Sequence, residues 1–411
     1  MADLIGITFI LLVALLTFVV SLRFPAISKF LLVALVIRVS LILIGHYLYP
    51  LPDSTADAET FEGEAWNFGK DGFFNLFSKF TGPSPSFISW LIGIPYSLFG
   101  RSVLMAQSVS LIFGLGSIVL GWLLAKEIWD KNIADKVGWT IALFPSLTLY
   151  SVLFLREVYI VFFILLALYG VATWIKTNSY QSIILSTIGF IGSIFFHGGL
   201  IVGALVFLFI VGLTNLTRFF KSLKKNKFNF KGLIISFFFI LIIQLYLSNK
   251  FSVPYLGTFQ SSTNVENIQN RASIATRGTA SWPEWTTINK PIEIIYKGPL
   301  RSIYLVFAPF PWDISRLRHL IGMFDAFLYM YLSYLILRNI KVILKDPVLR
   351  IFLLMLLSYI FVFGIGVGNF GTGIRHRSKF AVIFILLAAP FLKNFVFKKT
   401  KTQILMKSNT N

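Results

Sequence analysis

Along most of its length the chain repeats one pattern: a run of apolar residues long enough to cross a bilayer as a helix, then a short polar or basic connection. A helix needs about 20 mostly apolar residues to span the hydrocarbon. On that criterion the pattern predicts spans near 4–22, 27–48, 103–125, 137–154, 157–175, 181–197, 199–217, 232–248, 319–340, 350–368 and 379–397. That makes about eleven, in a range of about 10–13, and an odd number puts the termini on opposite sides. The first run, LIGITFILLVALLTFVV, has no basic segment before it and no small-residue cleavage site after it, so it reads as a retained span. The segment 86–99, FISWLIGIPYSLFG, is short and interrupted by Pro95, and reads as a re-entrant or interfacial helix. The expected fold class is therefore all-α: a polytopic helical membrane protein with one integral domain over 1–411.

Charge orients the pattern. The connections RFPAISK, KEIWDKNIADK, KTNSYQ, RFFKSLKKNKFNFK and RNIKVILKDPVLR, with the basic tail at 398–411, share one side, which the positive-inside rule makes cytoplasmic. The N-terminus is then outside and the C-terminus inside. The outer side receives a first loop at about 49–102, which has the pattern of short amphipathic helices, a second at about 249–318, and a short turn at 369–379. Of the 17 acidic residues only Glu127, Asp130, Asp135 and Asp346 fall on the inner side, and all four histidines lie at the outer ends of spans or in outer loops. Chemistry is expected on the outer face.

Composition then removes alternatives. The chain is 56% apolar and 13% charged, with 44 phenylalanines, values outside those of a soluble domain. With no cysteine there is no disulfide, thiolate metal site or cysteine nucleophile. A net charge of +20 suggests nucleic acid in a soluble protein, but here the basic residues mark cytoplasmic loops, so no nucleic-acid partner is expected. Richness in Ile, Phe, Lys and Asn points to an AT-rich bacterial source and hence to the cytoplasmic membrane.

Four stretches carry candidate chemistry. The first outer loop opens YPLPDSTADAETFEGEAW, where Asp53 and Asp57 share a face if helical, with Glu59 close by. Carboxylates held at span ends can act as general bases or ligate a hard divalent cation such as Mg or Mn; otherwise the loop is a solvated acidic surface. LREVYIVFF puts Arg156 and Glu157 at the outer mouth of the fifth span, as a site or as a local ion pair. His197 stands before two glycines, and a lone histidine there is commonly structural. The second loop brings Arg316, Arg318 and His319 beside the proline-broken VFAPFPW, with Trp312 as a face for a sugar or a member of the interfacial aromatic belt. Finally GTGIRHRSK places Arg375, His376 and Arg377 in an outer turn, where the positive-inside rule expects few cations. In an extended turn the two arginines point the same way, suiting a phosphate; contact with lipid headgroups is the plainer explanation.

The runs DSTADAETFEGEAW, GRSVLMAQ, FPSLTLYSVLFLRE, APFPW and GTGIRHRSKF together resemble multi-pass GT-C-type glycosyltransferases, and are similar to bacterial O-antigen (Wzy-type) polymerases. The resemblance implies a polyprenyl (undecaprenyl) phosphate or diphosphate sugar as donor, a glycan acceptor, and chemistry at the outer boundary of the membrane. By it Asp53 or Asp57 is the base or metal ligand, and Arg375 and Arg377 hold the lipid phosphate, with Arg156, Arg316 and Arg318 as further candidates. From the residues themselves Glu59 is a further candidate carboxylate, His376 joins the phosphate site, and Glu157, His197, Trp312 and His319 are candidates for substrate contact. Two spans, where many such enzymes have one, precede the carboxylate loop, which keeps both aspartates open. Membrane lipids and other polysaccharide assembly proteins are the expected partners. The rival is a transporter or flippase of a lipid-linked saccharide, which should carry charge on broken helices near the bilayer midplane; Arg38 is the main such residue.

Overall fold

The computed structural model of the chain describes residues 1–80, 82–224, 281–290, 292–314 and 317–393, with isolated positions between 240 and 267. Most of the span expected at 232–248, Arg316, the side chains of Arg318 and His319, and the tail at 398–411 lie outside the described residues.

All regular structure among the described residues is helical, apart from one isolated bridge between Ser281 and Asn369. The helices are α1 (Ala2–Arg23), α2 (Pro25–Tyr47), α3 (Asp57–Gly69), α4 (Phe73–Ser78), α5 (Phe87–Phe99), α6 (Val103–Ile128), α7 (Lys131–Leu143), α8 (Pro145–Tyr150), α9 (Glu157–Thr177), α10 (Tyr180–Phe196) and α11 (Ile201–Lys224). After the undescribed region come α12 (Glu293–Phe307), α13 (Leu317–Arg338), α14 (Ile340–Lys345), α15 (Pro347–Gly366), α16 (Phe370–Ser378) and α17 (Ala381–Ala388). Six are long and apolar enough to cross a membrane: α1, α2, α6, α9, the Gly198–Ser222 run that contains most of α11, and α15. α1 leaves Leu11, Leu15, Leu16 and Leu22 exposed, a face that only lipid covers without cost. The chain is a helical membrane protein.

Several expected spans take other forms. The run 137–154 is not one helix. α7 stops at Leu143, Phe144 turns extended (ψ 122°), and Pro145 starts α8, because proline has no N–H to continue the ladder and pushes its predecessor out of the helical region. Arg38 of α2 is buried at this break, its Nε donating to Ser151 Oγ (2.8 Å) and its Nη1 to the Ala142 carbonyl (2.9 Å). The last run shortens to α17 and a 3-10 turn, Ala389–Phe391, that carries Pro390, and α17 is wholly buried. Within 86–99, Phe87–Phe99 form α5, 13 residues long and continuous through Pro95.

Two contacts matter for the site. α9 and α10 pack closely because both have glycine at the crossing: a Cβ on Gly170 would meet Ser186 N at 2.4 Å, and one on Gly189 would meet Ala167 N at 2.3 Å. This brings the C-terminal end of α10 beside the N-terminus of α9. The GRS of GRSVLMAQ anchors α3. Gly100 ends α5 at φ 88°, Arg101 clamps the buried Glu62 through two hydrogen bonds (2.9 and 2.6 Å), and Ser102 caps α6.

Two buried arginines tie down the C-terminal half. Arg301 of α12 donates to the carbonyls of Thr286, Gly364, Ile365 and Val367, satisfying the end of α15. Arg377, fully buried, donates to Asp325 of α13 and to the carbonyls of Val306, Ala308 and Gly322, so all five of its N–H groups are taken. Removing it would strand Asp325 as a buried charge, which costs about 3–5 kcal/mol. We therefore expect Arg377→Ala to lower the thermal unfolding temperature in detergent markedly. Arg377→Lys should fall short of rescue, because an ammonium lacks the planar fork; wild-type unfolding of the alanine variant would contradict this pin.

Candidate active site

Glu157 is the first residue of α9, where the helix N-terminus favours a carboxylate. Its side chain is 2% exposed, and its Oε1 meets Arg375 Nε at 3.3 Å and Lys379 Nζ at 3.7 Å. The other oxygen, Oε2, makes no hydrogen bond to the described residues. Arg375 also donates from Nη1 to Asp57 Oδ2 at 2.5 Å. Residues 57, 157, 375 and 379 thus meet at one end of the helical core, although they come from three distant parts of the chain.

The turn expected between the last two spans is the helix α16, and this explains which arginine reaches the cluster. Asn369 is its N-cap, the side chain accepting from Thr372 N at 2.8 Å, and that cap starts a helix despite Gly371 and Gly373. On an extended strand Arg375 and Arg377 would share a face; on a helix, two residues apart, they point nearly opposite ways. Arg375 goes to Asp57 and Glu157, and Arg377 goes to Asp325. The expected phosphate role of Arg377 is corrected on this ground, since no N–H is left to offer.

His376 accepts from Lys379 Nζ at its Nδ1 (3.1 Å), and its ring lies edge-on to His197 with centroids 5.1 Å apart, both rings beside Phe363. His197 Nδ1 accepts from Gly199 N, which orients the ring from below. Arg156 spreads over the Phe61 ring of α3 (5.0 Å) and donates to the Phe196 carbonyl at the end of α10. Asp53 accepts from the Tyr150 hydroxyl at 2.9 Å. Asp53, Asp57, Arg156, Glu157, His197, Arg375 and His376 are therefore brought together. Glu59 and Trp312 are not: Glu59 is exposed on α3, and Trp312 stands 74% exposed, stacked on Phe310.

Sequence reasoning gave Lys379 no role in the site and missed Tyr150. A lysine immediately before an apolar run, three residues after a histidine, was the available signal for the first. Nothing local marks Tyr150, whose role comes from the break at Pro145.

As a metal centre the loop does not assemble. Asp53 is turned to Tyr150, Asp57 to Arg375 and Glu59 to the surface, and among the described residues no three His, Asp or Glu side chains converge. A small cavity lies within the core, lined by Arg38, Ser117, Tyr150, Glu157 and Ser378 among others. The Asp57–Arg375 pair is outside that lining, and Asp57 is 56% exposed, so the polar group that opens to the surface is an arginine–carboxylate pair. No family model matches the sequence, and the curated proteins return no match either.

The electrostatics set protonation states. Against the cost of burial, Glu157 and then Asp57 hold the Arg375 guanidinium charged, above its ordinary value. Burial, then the Lys379 charge, push the His376 imidazole well below its ordinary range. With a folded value below the unfolded one of about 6.5, the unfolded chain takes the proton first. Stability from this group is then present above about pH 6.5 and lost as pH falls below it. His376→Gln should therefore show a smaller drop in unfolding temperature between about pH 7.5 and about pH 5.5 than the parent protein. An equal drop would mean that His376 is as easily protonated folded as unfolded.

Proposed function

We propose that the protein is a membrane glycosyltransferase of the polysaccharide-polymerase kind. It transfers a sugar or oligosaccharide from a polyprenyl phosphate or diphosphate donor to a glycan acceptor, at the outer face of a bacterial cytoplasmic membrane. The observation that carries this reading is the Asp57–Arg375–Glu157 arrangement. A partly exposed carboxylate and a guanidinium meet at a helix end, backed by a buried carboxylate and Lys379, inside a molecule whose outer faces are made for lipid. Transfer from a lipid phosphate needs positive charge where the leaving phosphate forms, and a carboxylate to take the acceptor's hydroxyl proton. Arg375 supplies the first and Asp57 the second, with Asp53 held next to it by Tyr150. A single base and direct displacement invert the anomeric centre.

A carrier of lipid-linked saccharide is a second reading, favoured by the helix break at Pro145 with Arg38 buried against it. Arg38, however, gives its Nε and Nη1 donors to Ser151 and two backbone carbonyls, as a structural cross-link does.

The test is chain growth by purified protein in lipid nanodiscs supplied with undecaprenyl-linked oligosaccharide. Longer products should form, and Asp57→Asn and Arg375→Ala should each reduce their rate by about 10²- to 10³-fold. Undiminished growth in both variants would remove the assigned roles. Passage of donor across vesicles without any elongation would favour the carrier.

A further inference from the structure

Two carboxylates share Arg375, and they are unlike. Glu157 is 2% exposed and locked between Arg375 and Lys379, whereas the Asp57 side chain is 56% exposed on the same guanidinium. The backbone that delivers Asp57 is strained. Asp53 (φ 61°) and Ala56 (φ 56°) both lie at positive φ, where L side chains are disfavoured, and Ala56 combines it with ψ −103°, outside the left-handed helical well. Leu51 packs against the core at Gly45 and Tyr150 holds Asp53, while Arg375 holds Asp57. The helix that follows is anchored separately, through Glu62 on Arg101 and Tyr96 and through Phe61 under Arg156. Residues 54–57 lie between these anchors, with Thr55, Ala56 and Asp57 exposed, and can shift while Leu51, Asp53 and the rest of α3 stay in place.

We infer that Asp57 occupies the place on Arg375 that a substrate phosphate takes, and that the incoming phosphate displaces it and releases residues 54–57. The inference rests on the proposed function for the identity of the lipid that carries the phosphate. The charges favour the exchange. With Asp57 gone, Arg375 and Lys379 face Glu157 as the buried carboxylate between them, an excess that a phosphate or diphosphate meets with more oxygens than one carboxylate offers. The departing Asp57 is then free of its guanidinium and able to accept a proton from an acceptor hydroxyl. Placeholder and base are the same residue used at different times.

The test measures binding to the full chain in nanodiscs of two probes, farnesyl phosphate and inorganic pyrophosphate, in the parent, Asp57→Asn, Arg375→Ala and Arg375→Lys proteins. Arg375→Lys keeps a charge for Glu157 if the alanine variant fails to fold. The native chain has no cysteine, so a spin label on Thr55→Cys reports the segment without background. Asp57→Asn should bind farnesyl phosphate about tenfold more tightly than the parent, because the internal competitor is gone. Both Arg375 variants should bind it more weakly, and the label should become more mobile as the parent protein fills. Equal or weaker binding by Asp57→Asn, or a label that does not respond, overturns the exchange while leaving the glycosyltransferase reading intact. Pyrophosphate binding as tightly as farnesyl phosphate with the same pattern upholds the exchange and counts against the lipid donor. No binding of either probe to the parent or to Asp57→Asn overturns both.

Discussion

A carboxylate buried at a helix end must be neutralised, and Glu157 imposes that requirement on the whole site. Its two cations, Arg375 and Lys379, sit one helical turn apart at the end of α16. Meeting Glu157 fixes the rotation of that short helix, and the rotation decides everything else it carries. Arg377 is turned away into the core, where Asp325 and three carbonyls consume it; His376 is laid against His197; and the second half of the Arg375 fork is left to face the first loop. Asp57 completes the set from outside.

The coarse architecture was legible because lipid imposes it so simply. Long apolar runs such as 4–22 and 27–48 became α1 and α2 within a few residues. The failures have physical causes. Pro145 broke one expected span and Pro390 closed another early, since hydropathy counts apolar residues and is blind to a missing N–H. The site was legible by residue type: Asp53, Asp57, Arg156, Glu157, His197, Arg375 and His376 were all candidates for chemistry, and all meet. It was less legible by geometry. Reading GTGIRHRSK as extended paired Arg375 with Arg377, whereas the Asn369 cap makes it helical and separates them. Periodicity could not reveal Tyr150 either, because its partner Asp53 is 97 residues away.

The motifs divide between those that anchor the cluster and those that supply its side chains. GRSVLMAQ anchors α3 through Arg101, and VFAPFPW offers the Val306 and Ala308 carbonyls to Arg377. FPSLTLYSVLFLRE does both: its proline breaks the helix, its tyrosine and serine brace Asp53 and Arg38, and its last residue is Glu157. The rigid parts therefore lie beneath the cluster and the strained, exposed part above it. That order suits the proposed function, in which a charged headgroup enters from the bilayer surface while its counter-charges stay dry.

The proposed exchange needs Arg375 to be the seat of a substrate phosphate. An electron cryomicroscopy map of the protein in nanodiscs with a bound polyprenyl phosphate tests that most directly. We predict phosphate density within hydrogen-bonding distance of Arg375, with Glu157 still paired to it and Asp57 moved aside. Phosphate density elsewhere, over an intact Asp57–Arg375–Glu157 bridge, would contradict it.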